Sequence, residues 1–349
     1  MSFTLTDRFV HIRLSSMMLV ALCAFFWVSV LGHMVSGSLA VPSARSEAAT
    51  QSRMDKLKSM FGFEGFVYAL DNCPSSSQLV QDFKQMRTKG ARNVITFDYC
   101  GNGDDASYYE DGYLAPEVIK AAGTAGLNII PLVWTLVDSG QSFSTTTVPR
   151  INAAVINSPG PVLAVALGDE PLYDNDFGSP GNLAKYIRQM KEAFANAGLS
   201  DVPVSISDMA YGWQSSKGIS SVVDAVDFFM INNFPYFSSD AESGGSSTSW
   251  KDFTKDISYF ESIAKGKPLL VTQTGWPSNK DEFAPNSKNV VVSVSSEEAY
   301  WNLLDSHCSD FFKAKNLGWM WRSWDDTIEG WGVTSNGKSK WNFSAKTTC

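Results

Sequence analysis

From residue 65 onward the chain alternates two kinds of segment. Short apolar, β-branched runs are followed by longer stretches whose apolar residues recur every three or four positions. Runs of the first kind read as buried strands, and stretches of the second kind as helices packed on one face. Strands are predicted at 65–70, 93–99, 127–134, 162–167, 204–207, 228–232, 268–272 and 318–321. Helices are predicted at 78–89, where Leu79, Phe83 and Met86 keep helical spacing, and at about 116–125, 148–157, 182–197, 250–264 and 296–314. Pro116 lies near a helix start and Gly198 just past a helix end, where each residue type belongs. Eight strands alternating with helices make the fold class α/β, a (β/α)8 TIM barrel. The competing architecture is a doubly wound open sheet, and it lacks its Gly-rich phosphate loop after the first strand.

The first sixty residues follow a different pattern. Arg8, His11 and Arg13 precede an apolar run from Met17 to Leu31, and Ser38-Leu39-Ala40 offers small residues for cleavage. Residues 1–40 therefore read as a secretory signal peptide. The alternative is an uncleaved signal anchor, although the run is short of the roughly 20 residues that a span needs. Residues 41–60, rich in Ser, Ala and charge, are expected to be a linker, and 61–349 the barrel domain. This reading makes the protein secreted or extracellular, and membrane-anchored by the N-terminal segment if uncleaved.

Charge and composition narrow the partners. A formal net charge of −8 with no basic run speaks against nucleic acid and anionic lipid. Aromatic residues reach 13 % with 11 Trp, while charged residues are only 18 %, which suits a neutral ligand. Neither a protein partner nor a cofactor is implied, and a monomer is expected.

Cys73, Cys100, Cys308 and Cys349 lie beyond the leader, an even number that allows three pairings. Cys73 and Cys100 each follow one of the first two strands and could meet. Cys308 with Cys349 would then tie the last helix to the tail, and four unpaired thiols are the alternative. Asn342-Phe343-Ser344 is the one glycosylation sequon. Past the leader, His307 is the only histidine, so a Ser-His-Asp triad or a histidine metal site is not expected. Acid–base chemistry falls to carboxylates.

Glu170 follows the fourth strand directly, at the end where a barrel places its chemistry, and Pro171 stops the strand. Gln273 and Thr274 hold the equivalent place on the seventh strand, before Gly275-Trp276-Pro277-Ser278. Trp134, Tyr236, Phe237, Trp276, Trp321 and Trp324 all fall at strand ends, where flat rings can pack on sugar faces. For Trp319 and Trp331, core packing is the favoured reading.

The run Thr274-Gly275-Trp276-Pro277-Ser278 strongly resembles the signature of glycoside hydrolase family 17, whose members act on β-1,3-glucan. Weaker matches follow in the family's order. They are residues 65–70, Asp98-Tyr99-Cys100, Gly168-Asp169-Glu170, Asn232 with Pro235, and Glu329-Gly330-Trp331-Gly332. The resemblance implies a (β/α)8 barrel with Glu170 as general acid/base and residue 273 as nucleophile. It also implies substrate contacts from Asp169, Tyr68, Asn232, Tyr236, Trp276, Trp321, Arg322 and Trp324.

Three departures stand out. Gln273 replaces the family's nucleophilic Glu, Asp169 its Asn, and Arg322 a Glu in the stretch 321–326. An amide cannot attack an anomeric carbon, so a base would have to come from elsewhere, and Asp325 and Asp326 are the expected candidates. The functional expectation is a β-1,3-glucan hydrolase or transglycosylase. The alternatives are a glucan-binding protein without turnover and, more weakly, a structural wall protein.

Overall fold

A computed structural model describes residues 53–97, 115–133, 135 and 147–349. Eight parallel strands close into a barrel in chain order: β1 (Gly62–Tyr68), β2 (Asn93–Phe97), β3 (Asn128–Val133), β4 (Val165–Asp169), β5 (Val204–Met209), β6 (Phe229–Asn232), β7 (Leu269–Thr274) and β8 (Gly318–Trp321). Pairing of Gly62 with Gly318 and of Phe66 with Trp321 seals β1 to β8. The fold class read from the alternation is the one observed.

Helix α1 spans 53–59. It is followed by α2 (Ser76–Thr88), α3 (Ala115–Ala125), α4 (Val148–Asn157), α5 (Pro180–Asn196), α6 (Ala210–Ser215), α7 (Ser220–Ala225), α8 (Ser247–Ile263) and α9 (Val294–Ser306). Four of them start earlier than predicted, because serine caps fix their ends. Ser75, Ser179, Ser246 and Ser293 each accept a backbone N–H three residues on. The helix predicted at 296–314 is interrupted at His307 and continues as a π-turn over Cys308–Lys313. The short helices α6 and α7 were not foreseen.

Residue alternation along each strand divides the core in two. Val67, Ile95, Ile130, Ala166, Met230 and Met320 fill one apolar cluster, while Phe66, Tyr68, Val133, Trp319 and Trp321 join the larger one with the helices. Leu57 and Met60 of the α1 segment belong to the first cluster and are buried. Arg53 donates to the carbonyls of Val162 and Pro159, both at 2.9 Å, and pairs with Asp201. Residues 53–60 are thus part of the barrel, which corrects the expected linker boundary at 60. Residues 41–60 as a whole are rich in Ser, Ala and charge, which hid the three-residue spacing of Met54, Leu57 and Met60. The expected leader, 1–40, lies outside the described residues.

Cys308 and Cys349 are bridged, with Cα atoms 5.6 Å apart, as expected. Cys73 is also disulfide-bonded, whereas Cys100 lies outside the described residues. Asn342 is exposed. Among the described residues, no helix is long and apolar enough to cross a membrane.

Candidate active site

The strand ends of β4 to β8 bring five of the expected residues together. Gly168 (φ 93°) and Glu170 (φ 55°) both have left-handed backbone, so the chain turns sharply out of β4. That conformation is natural for glycine and costs a glutamate of the order of 1–3 kcal/mol. It is held by the Glu170 N–H donating to Ser207 O at 2.6 Å and the Asp174 N–H donating to Glu170 O at 2.9 Å. On the other side, Gly275 lets β7 approach β8. A side-chain carbon there would lie 2.5 Å from Arg322 O.

One hydrogen-bond network joins these ends. Asn232 Nδ2 donates to Asp169 Oδ1 at 3.0 Å and to Glu170 Oε1 at 2.9 Å. Gln273 Nε2 donates to Asp169 Oδ1 at 2.6 Å and to Ser207 Oγ at 3.2 Å. Arg322 Nη1 donates to Gln273 Oε1 at 2.8 Å and lies 4.0 Å from Asp169 Oδ2. The Ser207 hydroxyl donates to Asn232 Oδ1 at 2.7 Å, which fixes the amide so that its N–H groups face the carboxylates. Ser207 was missed by sequence reasoning. Its signal is the alternation Val204-Ser205-Ile206-Ser207, apolar on one face and small polar on the other.

Both adjacent carboxyls titrate high. Burial, and then the charge of Asp169, push Glu170 up to about 7 from an ordinary 4.5, against the opposing hydrogen bond from Asn232 and the pull of Arg322. Burial also raises Asp169, opposed by Arg322, Asn232 and Gln273. Asp169 receives most of the donors, so the charge of the pair falls on it and the proton on Glu170. Around them, burial raises Asp174 and Asp176, the latter to about 6. Thr135 donates to Asp176, and Asp208, pushed well up by burial, accepts from the N–H groups of Leu172 (2.7 Å) and Met209 (2.8 Å). The arrangement can hold a proton near neutral pH beside a fixed negative charge.

These shifts carry a stability consequence. Burial pushes Glu64 to about 7 as well. A carboxyl raised from about 4.5 to about 7 on folding binds more protons folded than unfolded across that window. Its stabilising contribution is complete below about pH 4.5 and is lost as pH rises through about 7. The thermal midpoint is therefore expected to be higher at pH 5 than at pH 8, by calorimetry. A midpoint that rises over the same interval would show that these groups ionise freely in the fold.

Seven expected site residues are placed elsewhere. Tyr68 turns outward, packs on Phe83 and donates its hydroxyl to Asp82 Oδ2 at 2.7 Å. Trp276 is fully buried, its indole N–H on Val291 O at 3.0 Å and its ring against Tyr236 and Tyr300. Tyr236 is fully buried too, its hydroxyl on Phe283 O at 2.8 Å. Trp321 and Trp324 lie in the outer core against Trp301 and Phe66. None of these rings offers a face to a sugar, which corrects their reading as platforms. Trp134 lies outside the described residues.

Asp325 and Asp326 also belong to other networks. Asp325 Oδ1 accepts from the Thr327 N–H at 3.1 Å. Asp326 Oδ1 accepts from the Gly332 N–H at 3.0 Å and pairs with buried Lys340 at 2.8 Å, which also pairs with Glu297 at 3.3 Å. Among the described residues, neither of these expected bases hydrogen-bonds to the Asp169–Glu170–Gln273 network. Both residues lie past β8 in a loop whose ties run to the C-terminal segment.

The chain resembles known proteins over this region. Residues 65–332 match the family profile described as the BtgE/BtgC glycoside hydrolase domain. A probable glucan endo-1,3-beta-glucosidase eglC from Aspergillus clavatus is 30 % identical over 152 residues, 40 % of this chain and 32 % of that protein. Its Aspergillus niger counterpart is 25 % identical over 257 residues, 69 % of this chain and 53 % of that protein. The chain spans between a third and about half the length of these two curated relatives. The glycoside hydrolase family 17 beta-1,3-glucanosyltransferase of Rhizomucor miehei has the same fold, with a TM-score of 0.60 at 24 % identity, over 80 % of this chain and 95 % of that one. With the profile covering both ends of the barrel and the Asp169–Glu170 and Gln273 positions, the chain belongs to the BtgE/BtgC glycoside hydrolase domain family.

Proposed function

We propose that this protein is a secreted β-1,3-glucan-active glycoside hydrolase-like protein in which Glu170 is the proton donor. The observation that carries the reading is a carboxyl pushed up to about 7 at the barrel mouth, beside a carboxylate that accepts from two side-chain amides and has the Arg322 guanidinium 4.0 Å away. Below about pH 7 Glu170 holds a proton for a glycosidic oxygen, and Asp169 supplies negative charge near the sugar that becomes cationic. The glucan substrate is inferred from the relatives' printed activities.

Gln273 sets the limit of the chemistry. Its amide is a very poor nucleophile, so no double displacement runs through residue 273. A second reading, glucan binding without turnover, is favoured by the same residue. Both polar ends of the Gln273 side chain are occupied, by Asp169 and Ser207 on the nitrogen and Arg322 on the oxygen. Incubation with linear β-1,3-glucan, following binding, new reducing ends and product anomers by NMR, separates the readings. Binding with new reducing ends supports the first, binding alone the second. No binding overturns both, and fast turnover with retained configuration overturns this assignment of Gln273.

A further inference from the structure

The aromatic rings that do face solvent at this mouth are not those predicted. Tyr173 is 49 % exposed and Tyr211 63 % exposed, and their ring centroids lie 6.1 Å apart at an interplanar angle of 64°. The two rings form an open corner, one flat face meeting another edge.

That corner is built by buried structure. Tyr173 stands three residues after Glu170, so chain length alone keeps it within about 11 Å. The turn closed by the Asp174 N–H on Glu170 O folds it back toward the acid. Asp208, completely buried, holds the Leu172 N–H at 2.7 Å, and Ser216 Oγ donates to Leu172 O at 3.2 Å. Gly212 allows α6 to press on the same loop. A side-chain carbon there would come within 2.9 Å of the Tyr173 nitrogen. A buried carboxyl group, a hydroxyl and a glycine thus fix Tyr211 against Tyr173, which is on the same loop as the proton donor.

We propose that the Tyr173–Tyr211 corner is a subsite for one glucose unit of a β-glucan, on the side of the bond that receives the Glu170 proton. The inference rests on Glu170 as proton donor. A donor on the β4 loop protonates the oxygen that departs with the leaving chain, so the next ring on that loop lies along the leaving chain. A tyrosine face packs on the apolar face of a pyranose, and the phenol hydroxyl meets its rim. The corner holds the departing sugar in hydrolysis, and the incoming one if another sugar replaces water as acceptor.

Isothermal titration of the full chain with β-1,3-linked glucose oligomers of increasing length tests this. In Tyr173→Ala and Tyr211→Ala, affinity for the longest oligomer is expected to fall roughly tenfold, with less effect on the shortest. Tyr211→Phe keeps the ring and is expected to bind within about threefold of the wild type. Circular dichroism checks that each variant is folded; both positions are surface-exposed. If the wild type binds and both alanine variants bind equally well, the corner is not a subsite, while the proposed function stands. If Tyr211→Phe loses as much as Tyr211→Ala, ring stacking is overturned. If the wild type binds no oligomer of any length, the proposed function itself fails and the subsite with it.

Discussion

Glu170→Gln is expected to reduce any glucan cleavage by about 10²- to 10⁴-fold while leaving glucan binding nearly unchanged. The amide has the same shape, and its oxygen can still accept the 2.9 Å bond from Asn232. It holds no acidic proton, so the glycosidic oxygen would leave as an alkoxide. In the wild type, cleavage is expected to weaken as pH rises through about 7, where Glu170 gives up its proton. The substitution also has a readout that does not need turnover. At pH 8 the folded protein carries an ionised Glu170 at a cost, because burial and Asp169 both oppose the charge. Glu170→Gln is therefore expected to raise the thermal midpoint at pH 8 and to change it little at pH 5. Reducing-end assays and two melting curves check the pair of effects. Undiminished cleavage by the variant would remove Glu170 from the role of proton donor.

What was legible in the sequence follows the kind of physical signal each feature leaves. Buried parallel strands leave unbroken apolar runs, so all eight were found, with ends shifted by up to three residues, while four helices start two or three residues early at serine caps. The polar residues at the ends of β4, β6 and β7 were found because a polar side chain just after such a run has few places to go. The strand-end aromatics failed for a reason of register. Position along a strand says which end a residue occupies, and only alternation says which face. Trp321 lies in the outer core, while its neighbour Arg322 reaches Gln273. Tyr68 likewise lies in the outer cluster and its neighbour Val67 in the inner one. Tyr173 and Tyr211 escaped notice because they stand beyond the strands, in a turn and a six-residue helix that periodicity cannot resolve. Helix α1 escaped because its fit depends on a barrel floor assembled from strands far along the chain.

Exchanging the charges of residues 169 and 273 is expected to repair what either change alone damages. In family 17, by the resemblance, an Asn precedes the acid and a Glu stands on the seventh strand. Here a carboxylate precedes the acid and an amide stands on the seventh strand, and the two meet at 2.6 Å. It is the same contact with donor and acceptor reversed, so this pair keeps one negative charge at a different atom. Gln273→Glu alone would place a second carboxylate against Asp169 inside the protein. One of them then takes up a proton or the pair separates, and a loss of about 2–4 kcal/mol at pH 8 is expected, smaller at pH 5. Asp169→Asn alone removes the charge facing Arg322 but leaves an amide oxygen for Gln273 Nε2, at a cost of about 1 kcal/mol. In the double variant, Asp169→Asn with Gln273→Glu, the new amide at position 169 can donate to the new carboxylate at position 273. Arg322, which in the wild type donates to the Gln273 side chain at 2.8 Å, then keeps that carboxylate ionised. A urea-denaturation cycle should therefore give a favourable coupling of about 2–3 kcal/mol. The double variant should also turn over β-1,3-glucan with retained configuration, faster than wild type and faster than Gln273→Glu. Additivity of the two changes to within about 0.5 kcal/mol would mean that the 2.6 Å contact does not set the charge arrangement of the site.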